Sequence, residues 1–279
     1  MLNRMKDSVD AQLCDQQVRF RRDRLCTDQI ATLRITVEQS IEWNSSLYIN
    51  FIGSEKAFDN VDRGTLWELL RHYGVPGKIV NIIRNSYDGP QCKVVHGGLL
   101  TDAFRVRTGV RQGCSLSLFL FLLVVDWIMK TSRSEGKYSM QWTAQNQLDG
   151  LDFADYLALL SHTHEQMQIK TVCVAAVSAS VGLNTHKGKT KVLKFKTKNN
   201  NPITLDGKTL EDVESFTYLG SNIDEQGGSD ADVKARISKA RVAFLQLKNI
   251  WNSKQLSTNI KVRIFNTNVK AVLLYGAET

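Results

Sequence analysis

Apolar positions recur along this chain at two spacings, and the switches between them mark out its elements. Ile30, Leu33, Val37 and Ile41 fall on one face of a helix spanning residues 28–43, with Asp28 as its N-cap. Residues 47–52 form a short apolar strand. Leu66, Leu69, Leu70 and Tyr73 make a helical stripe that stops at Gly74, ahead of Pro76, and residues 79–87 repeat it. Segments 91–96 and 103–107 read as strands joined through the Gly97–Gly98 turn region. The next helix, over residues 115–130, is the most apolar stretch. Its longest uninterrupted run, 118–125, ends at Asp126 and is too short to span a bilayer, so it predicts a buried helix.

The second half alternates again. Residues 151–160 predict a β-hairpin, and 165–181 an Ala/Val-rich helix closed by Gly182. Residues 189–210 are strand-like, with Asp206–Gly207 as a hairpin turn and Lys194, Lys196 and Lys198 alternating onto one strand face. A strand at 215–219 follows. Val233, Ile237, Ala240, Phe244, Leu247 and Trp251 then recur at steps of three or four, giving a helix whose stripe is expected to pack inside the protein. A last helix runs over 258–275. Mixed helices and antiparallel strands followed by helices alone predict an α+β body with a helical C-terminal lobe.

Composition narrows the function. The chain has 279 residues, 42% of them apolar and 23% charged, enough for one large domain or two modest ones. Its 36 Lys and Arg against 28 Asp and Glu leave a net +8, which favours polyanionic partners, nucleic acid before acidic membrane surface. Cys14, Cys26, Cys92, Cys114 and Cys173 are odd in number and scattered, so neither a disulfide partner nor a zinc site is expected, and a reducing compartment fits. The N-terminus lacks an apolar signal region, so the expected setting is intracellular and away from membranes. His162 and His164 lack a third ligand and are expected to be exposed polar residues.

Four segments carry the chemistry: FIGSEKAFDNVDR at 51–63, RTGVRQGCSLS at 107–117, LDFADYLALL at 151–160 and FTYLGS at 216–221. Their order and placement on strand, turn-to-helix, hairpin and strand are far more specific than any one alone. Together with RRDRLCTDQI at 21–30, they resemble the reverse transcriptases of non-LTR (LINE-type) retrotransposons over nearly the whole chain. The resemblance implies a right-hand polymerase fold of the α+β class: palm with partial fingers and a truncated helical thumb. Residues 1–18 would be a ragged N-terminal segment, 19–221 the fingers and palm, and 222–279 a partial thumb, with the family's longer flanking regions cut away at both ends. It also implies RNA-directed DNA synthesis from dNTPs on an RNA template with a DNA primer.

In that family two Mg²⁺ ions about 3.5–4 Å apart clamp the attacking and leaving oxygens, held by one carboxylate on a strand and two on a hairpin. Asp155 matches the first hairpin ligand, but the strand ligand falls at Gly53 and the second hairpin ligand at Tyr156. Glycine offers only a carbonyl wanted by the sheet, and a phenol is neutral near pH 7. Asp155 alone remains as metal ligand and catalytic acid. Asp59 lies beyond the strand's end and Asp152 on the opposite face of the hairpin, so neither they nor Glu55 are expected to substitute. With two anionic ligands missing, this copy is expected to be catalytically impaired.

The resemblance assigns further roles. Phe58 would screen the ribose 2′ position, and Arg111, Gln112 and Gly113 would line the nucleotide pocket, with Leu118 where the family usually has proline. Lys189 would lie near the triphosphate, Tyr218, Leu219 and Gly220 would position the primer, and Arg21, Arg22 and Arg24 would face the template. Two alternatives stay open beside an impaired polymerase: a non-catalytic nucleic-acid-binding remnant, and an inert pseudogene product that folds poorly.

Overall fold

The computed structural model describes residues 5, 9, 12–13, 26–89, 91–132, 140–141, 147–148, 150–153, 156–199 and 201–275. In chain order these form helix α1 (Cys26–Glu42), strand β1 (Leu47–Gly53), α2 (Ala57–Asn60), α3 (Arg63–His72) and α4 (Gly77–Tyr87). Short strands β2 (Gln91–Cys92), β3 (Val95–His96), β4 (Leu99–Leu100) and β5 (Phe104–Arg105) precede α5 (Ser115–Ser132). Then come β6 (Met140–Gln141), β7 (Gln147–Leu148), β8 (Gly150–Phe153), β9 (Tyr156–Ser161) and α6 (His164–Ser180). Strands β10 (Lys191–Phe195), β11 (Thr204–Leu205), β12 (Lys208–Thr209), β13 (Glu211–Asp212), β14 (Ser215–Tyr218) and β15 (Ser221–Asp224) follow. The chain continues through α7 (Asp230–Gln246), α8 (Lys248–Asn252), α9 (Thr258–Phe265), a π-helical turn (Asn266–Lys270) and α10 (Ala271–Leu273).

The main sheet has strand order β13–β10–β1–β9–β8, and the chain separates into two compact units. The first comprises residues 1–24, 48–192 and 199–211; the second comprises 25–47, 193–198 and 212–279.

In the first unit β1, β9 and β8 pair antiparallel, and β1 is buried along its whole length. Helix α5 explains much of the core. Every side chain from Phe119 to Val125 is buried, as expected for a helix apolar all round. Among the described residues it is the helix long and apolar enough to cross a membrane, but most of it is buried within the protein. Its Asp126, fully buried, accepts from the Tyr73 hydroxyl and pairs with Lys130 at 2.8 Å, which satisfies a charge that would otherwise be costly there.

Local signals set several boundaries. Asp62 caps α3, accepting from the Thr65 amide at 2.7 Å, and Thr163 caps α6 through the Gln166 amide at 3.2 Å. Asp206 and Gly207, at φ 47° and 70°, make the expected hairpin turn between β11 and β12. Gly97 and Gly98 join β3 to β4, while β2 pairs separately with β5, so the two long strands expected there are two short ladders.

Other expectations are corrected. Helix α1 begins at Cys26, which puts Asp28 in its first turn rather than at its cap, where its charge still suits the helix dipole. Strand β10 ends at Phe195 and Lys196 takes φ 49°, so the lysine alternation is broken; Lys194 is tied to Asp212 at 2.6 Å. His162 is exposed, but His164 is half-buried, its Nε2 3.2 Å from the Pro202 carbonyl. The expected C-terminal helix is interrupted by the π turn at residues 266–270.

In the second unit the apolar stripe of α7 faces outward at its start: Val233 is 48% and Ile237 52% exposed. The buried side of α7 is instead Asp232, Arg236 and Ala240, one helical turn apart. Asp232 explains this rotation. It pairs with Arg236 and with Arg34 of α1 at 2.5 Å, and accepts from the Ser221 hydroxyl at 3.0 Å and the Asn222 amide at 2.8 Å. A buried carboxylate with this many donors holds its helix face inward more firmly than a broken apolar stripe can.

Candidate active site

The end of β1 organises the site. Gly53, its last residue, is the direct Cα partner of Tyr156, the first residue of β9, and Tyr156 is the partner of Phe153 in β8. The row behind is Ile52, Leu157 and Asp152, so Asp152 belongs to the alternate row, as the odd spacing requires. Asp155 lies outside the described residues, as do Arg21, Arg22 and Arg24.

The chain leaves β1 through a turn at residues 54–62 that two glycines clamp. Gly109, at φ 76°, brings its backbone so close that a Cβ there would stand 2.5 Å from the carbonyls of Phe58 and Asp59. The Gly109 amide donates to the Val61 carbonyl at 2.8 Å and the Val110 amide to that of Phe58 at 2.7 Å. On the other side, a Cβ on Gly182 would meet the Asn60 carbonyl at 2.5 Å. Both positions need glycine for backbone approach and for positive φ.

The backbone of Gly53, paired in the ladder with Tyr156, is also bonded by a loop. Its carbonyl accepts from the His186 amide at 2.8 Å, and its amide donates to Thr190 Oγ1 at 3.4 Å. Ser54 bridges to Thr185 and the Glu55 amide donates to the Asn184 carbonyl at 3.0 Å, so the 184–190 segment is laid along the strand end. Lys189, within it, is exposed, and its amide donates to the His186 carbonyl at 2.9 Å. Glu55 and Asp59 are also exposed. Among the described residues no three His, Cys, Asp or Glu side chains gather as a metal ion would need. Position 53 lacks the carboxylate that the family's divalent cations need, offering only a backbone carbonyl that already accepts one amide.

A cavity of about 310 Å³ opens beside the turn, lined by Asp59, Arg63, Thr108, Gly109, Arg111 and Gln112 among others. Arg111 stands with its guanidinium 5.0 Å from the Tyr87 ring centroid and donates to the Ser86 carbonyl at 2.5 Å. Gln112 is exposed, and Gly113 takes φ 81° with open space where a side chain would go. Phe58 is half-buried and stacks on Phe121, centroids 4.5 Å apart, which is the core role; the cavity wall is built by its neighbour Asp59. Cys114, just before α5, has its thiol pulled below the usual range, first by the Ser117 amide at the helix start and also by Leu116 and Arg111, against burial.

Arg63 is the residue that sequence reasoning missed. Its guanidinium donates to the carbonyls of Gly109 (2.9 Å), Val106 (2.9 Å), Thr108 (3.0 Å) and Tyr87 (3.2 Å), knitting the cavity wall to the end of α4. Burial lowers its pKa, with Arg111 nearby adding to the effect. Among the described residues its acceptors are backbone atoms, so no side-chain motif announced it.

In the second unit Tyr218 is fully buried, its hydroxyl donating to Gln29 Oε1 at 3.0 Å. Leu219 and Gly220, at φ 49° and 87°, form the two-residue turn between β14 and β15.

A family model for reverse transcriptase (RNA-dependent DNA polymerase) matches residues 1–223. The chain belongs to the reverse transcriptase family. A second model, of a domain of unknown function, matches residues 243–275. The chain is similar to the Pol polyprotein of the type-2 retrotransposable element R2DM of Drosophila melanogaster, 26% identical over 213 residues. That match covers 72% of this chain and 20% of the relative. It is 25% identical over 236 residues to the Pol polyprotein of retrotransposable element R2 of Popillia japonica, covering 80% of this chain and 37% of the relative. Both relatives are Pol polyproteins of retrotransposable elements, and this chain spans well under half the length of either.

Among solved structures, telomerase from Candida tropicalis in complex with a fragment of telomeric RNA matches 99% of this chain and 45% of its own, with TM-score 0.58 and 14% identity. The apo enzyme truncated from its C-terminal domain covers 80% of this chain at TM-score 0.56. At that identity the likeness shows the fold, an α+β right-hand polymerase.

Proposed function

We propose that this chain is an RNA-directed DNA polymerase domain of a non-LTR retrotransposon whose own nucleotidyl transfer is impaired. The observation that carries the reading is the direct pairing of Gly53 with Tyr156. Two of the three positions that the family fills with metal-binding carboxylates are neighbours here, and neither is an acid. The ancestral substrates are an RNA template, a DNA primer and dNTPs, with Mg²⁺ as the expected cation. In this copy Asp155 remains as a lone metal ligand, and one carboxylate does not neutralise two divalent ions and a triphosphate.

Other positions retain family residues and keep their proposed roles. Arg111 and Gln112 line the cavity, where a guanidinium and an amide would meet a nucleotide; Gly113, next in the chain, would allow close backbone approach, and Phe58 and Lys189 would flank the nucleotide. Tyr218, Leu219 and Gly220 would support the primer from the β14–β15 hairpin, and Arg21, Arg22 and Arg24 would contact template phosphates. Residues 19–221 would supply fingers and palm, and 222–279 the start of a thumb.

The test is extension of a primed RNA by the purified chain with dNTPs and Mg²⁺. The reading expects no product above a protein-free control; sustained extension would overturn the assignment of the ligand positions. A net charge of +8 favours a second reading alongside the first, in which the chain binds template–primer without turning it over.

A further inference from the structure

The family's two cations fail to fit here for a reason beyond missing charge. A Cβ placed on Gly53 would stand 2.7 Å from the Cβ of Lys189, with the Lys189 carbonyl oxygen and carbon at 3.4 and 3.5 Å. Contacts under about 3 Å between carbons are repulsive, and neither partner is the movable end of a long side chain. The loop bearing Lys189 is also fixed. The His186 amide bonds the Gly53 carbonyl, and the Thr190 hydroxyl accepts from the Gly53 amide and donates to the His186 carbonyl at 3.1 Å. The Lys189 amide is held by both the carbonyl and Nδ1 of His186. Thr190 is fully buried, so the loop is seated rather than loosely draped.

We infer that the His186–Thr190 loop fills the space a side chain at position 53 would occupy, so that this position accepts glycine and no carboxylate while the loop keeps its seat. Position 53 is then closed by shape as well as lacking a carboxylate. Putting aspartate back at 53 would drive its Cβ into Lys189 and spend folding stability to unseat the loop. This inference rests on reading Gly53 as the family's first ligand position for its functional meaning, but its steric content stands on the contact alone.

The experiment is a double-mutant cycle in thermal unfolding on the full chain, using Gly53→Ala, Lys189→Gly and the pair. Alanine adds the Cβ and nothing else. In an open strand position it would leave Tm unchanged or raise it, because glycine is the costlier residue in a strand. The inference expects Gly53→Ala to lower Tm by about 4 °C or more, or to prevent cooperative folding. It expects the pair to recover most of that loss relative to Lys189→Gly alone. Gly77→Ala, where a Cβ meets nothing within 4 Å, serves as the control and should not lower Tm. A Gly53→Ala chain as stable as the parent, or a loss that Lys189→Gly leaves fully in place, would overturn the inference. Primer extension by the unaltered chain would overturn the ligand assignment instead and leave the cycle's outcome readable.

Discussion

Gly53 and Tyr156 stand directly opposite each other, the last residue of β1 against the first of β9. That adjacency turns two separate substitutions into one local event. On the proposed reading, cation binding at this strand end needs carboxylates from both strands together, so their absence from both would remove that chemistry while the ladder stays intact.

The turn that follows β1 is expected to be intolerant of side chains. Gly109→Ala would place a Cβ 2.5 Å from two carbonyl oxygens at φ 76°, where alanine is also strained. Urea unfolding should show a loss of roughly 3 kcal/mol, combining strain at positive φ with overpacking.

The Asp232 cluster gives a pH signature. Burial pushes this carboxyl up, but the Asn222 amide, the Ser221 hydroxyl and Arg236 outweigh it and hold the folded value below the ordinary one. A depressed carboxyl adds stability above its unfolded pKa of about 4, and that stability is lost as pH falls through the folded value. Asp232→Asn should cost about 3–5 kcal/mol at pH 7, because Arg34 and Arg236 would lose their shared carboxylate, and each already has a buried Nε without a partner among the described residues. The gap between parent and variant should narrow below about pH 4; denaturant melts at pH 7 and pH 3 measure it.

Tyr73→Phe removes the hydroxyl that donates to buried Asp126 while keeping the ring. A hydrogen bond to a charged group is worth about 1.5–3 kcal/mol, and calorimetry should find a loss of that size. Lys130 stays paired with Asp126, which keeps the effect from growing larger.

Binding to a template–primer duplex should weaken steeply with salt. Fluorescence anisotropy at several salt concentrations should give a straight log–log plot of negative slope, as counterion release requires. A flat response would exclude phosphate contact as the basis of binding.

The sequence made the local elements legible. The all-apolar helix around Phe121, the Asp206–Gly207 turn and the strand ending at Gly53 each carry their signal within a few neighbouring residues. The family pattern marked positions 53 and 156 as proposed ligand positions that carry Gly and Tyr instead of acids. What it hid depends on partners far along the chain. Arg34 meets Asp232 across 198 positions, and that pair, not the Val233–Ile237 stripe, decides which face of α7 is buried. Among the described residues Arg63 donates to backbone carbonyls, which leave no mark in composition. The approach of Lys189 to Gly53 is set by the course of a loop, and no residue spacing encodes it.

The most direct test of the metal-site account is titration of the chain with Mn²⁺, a spectroscopic substitute for Mg²⁺, in the presence of template–primer and a dNTP, followed by electron paramagnetic resonance. The account predicts that no pair of ions binds saturably to the protein beyond what the nucleic acid and nucleotide bind alone. Two tightly held, magnetically coupled ions per chain would contradict it.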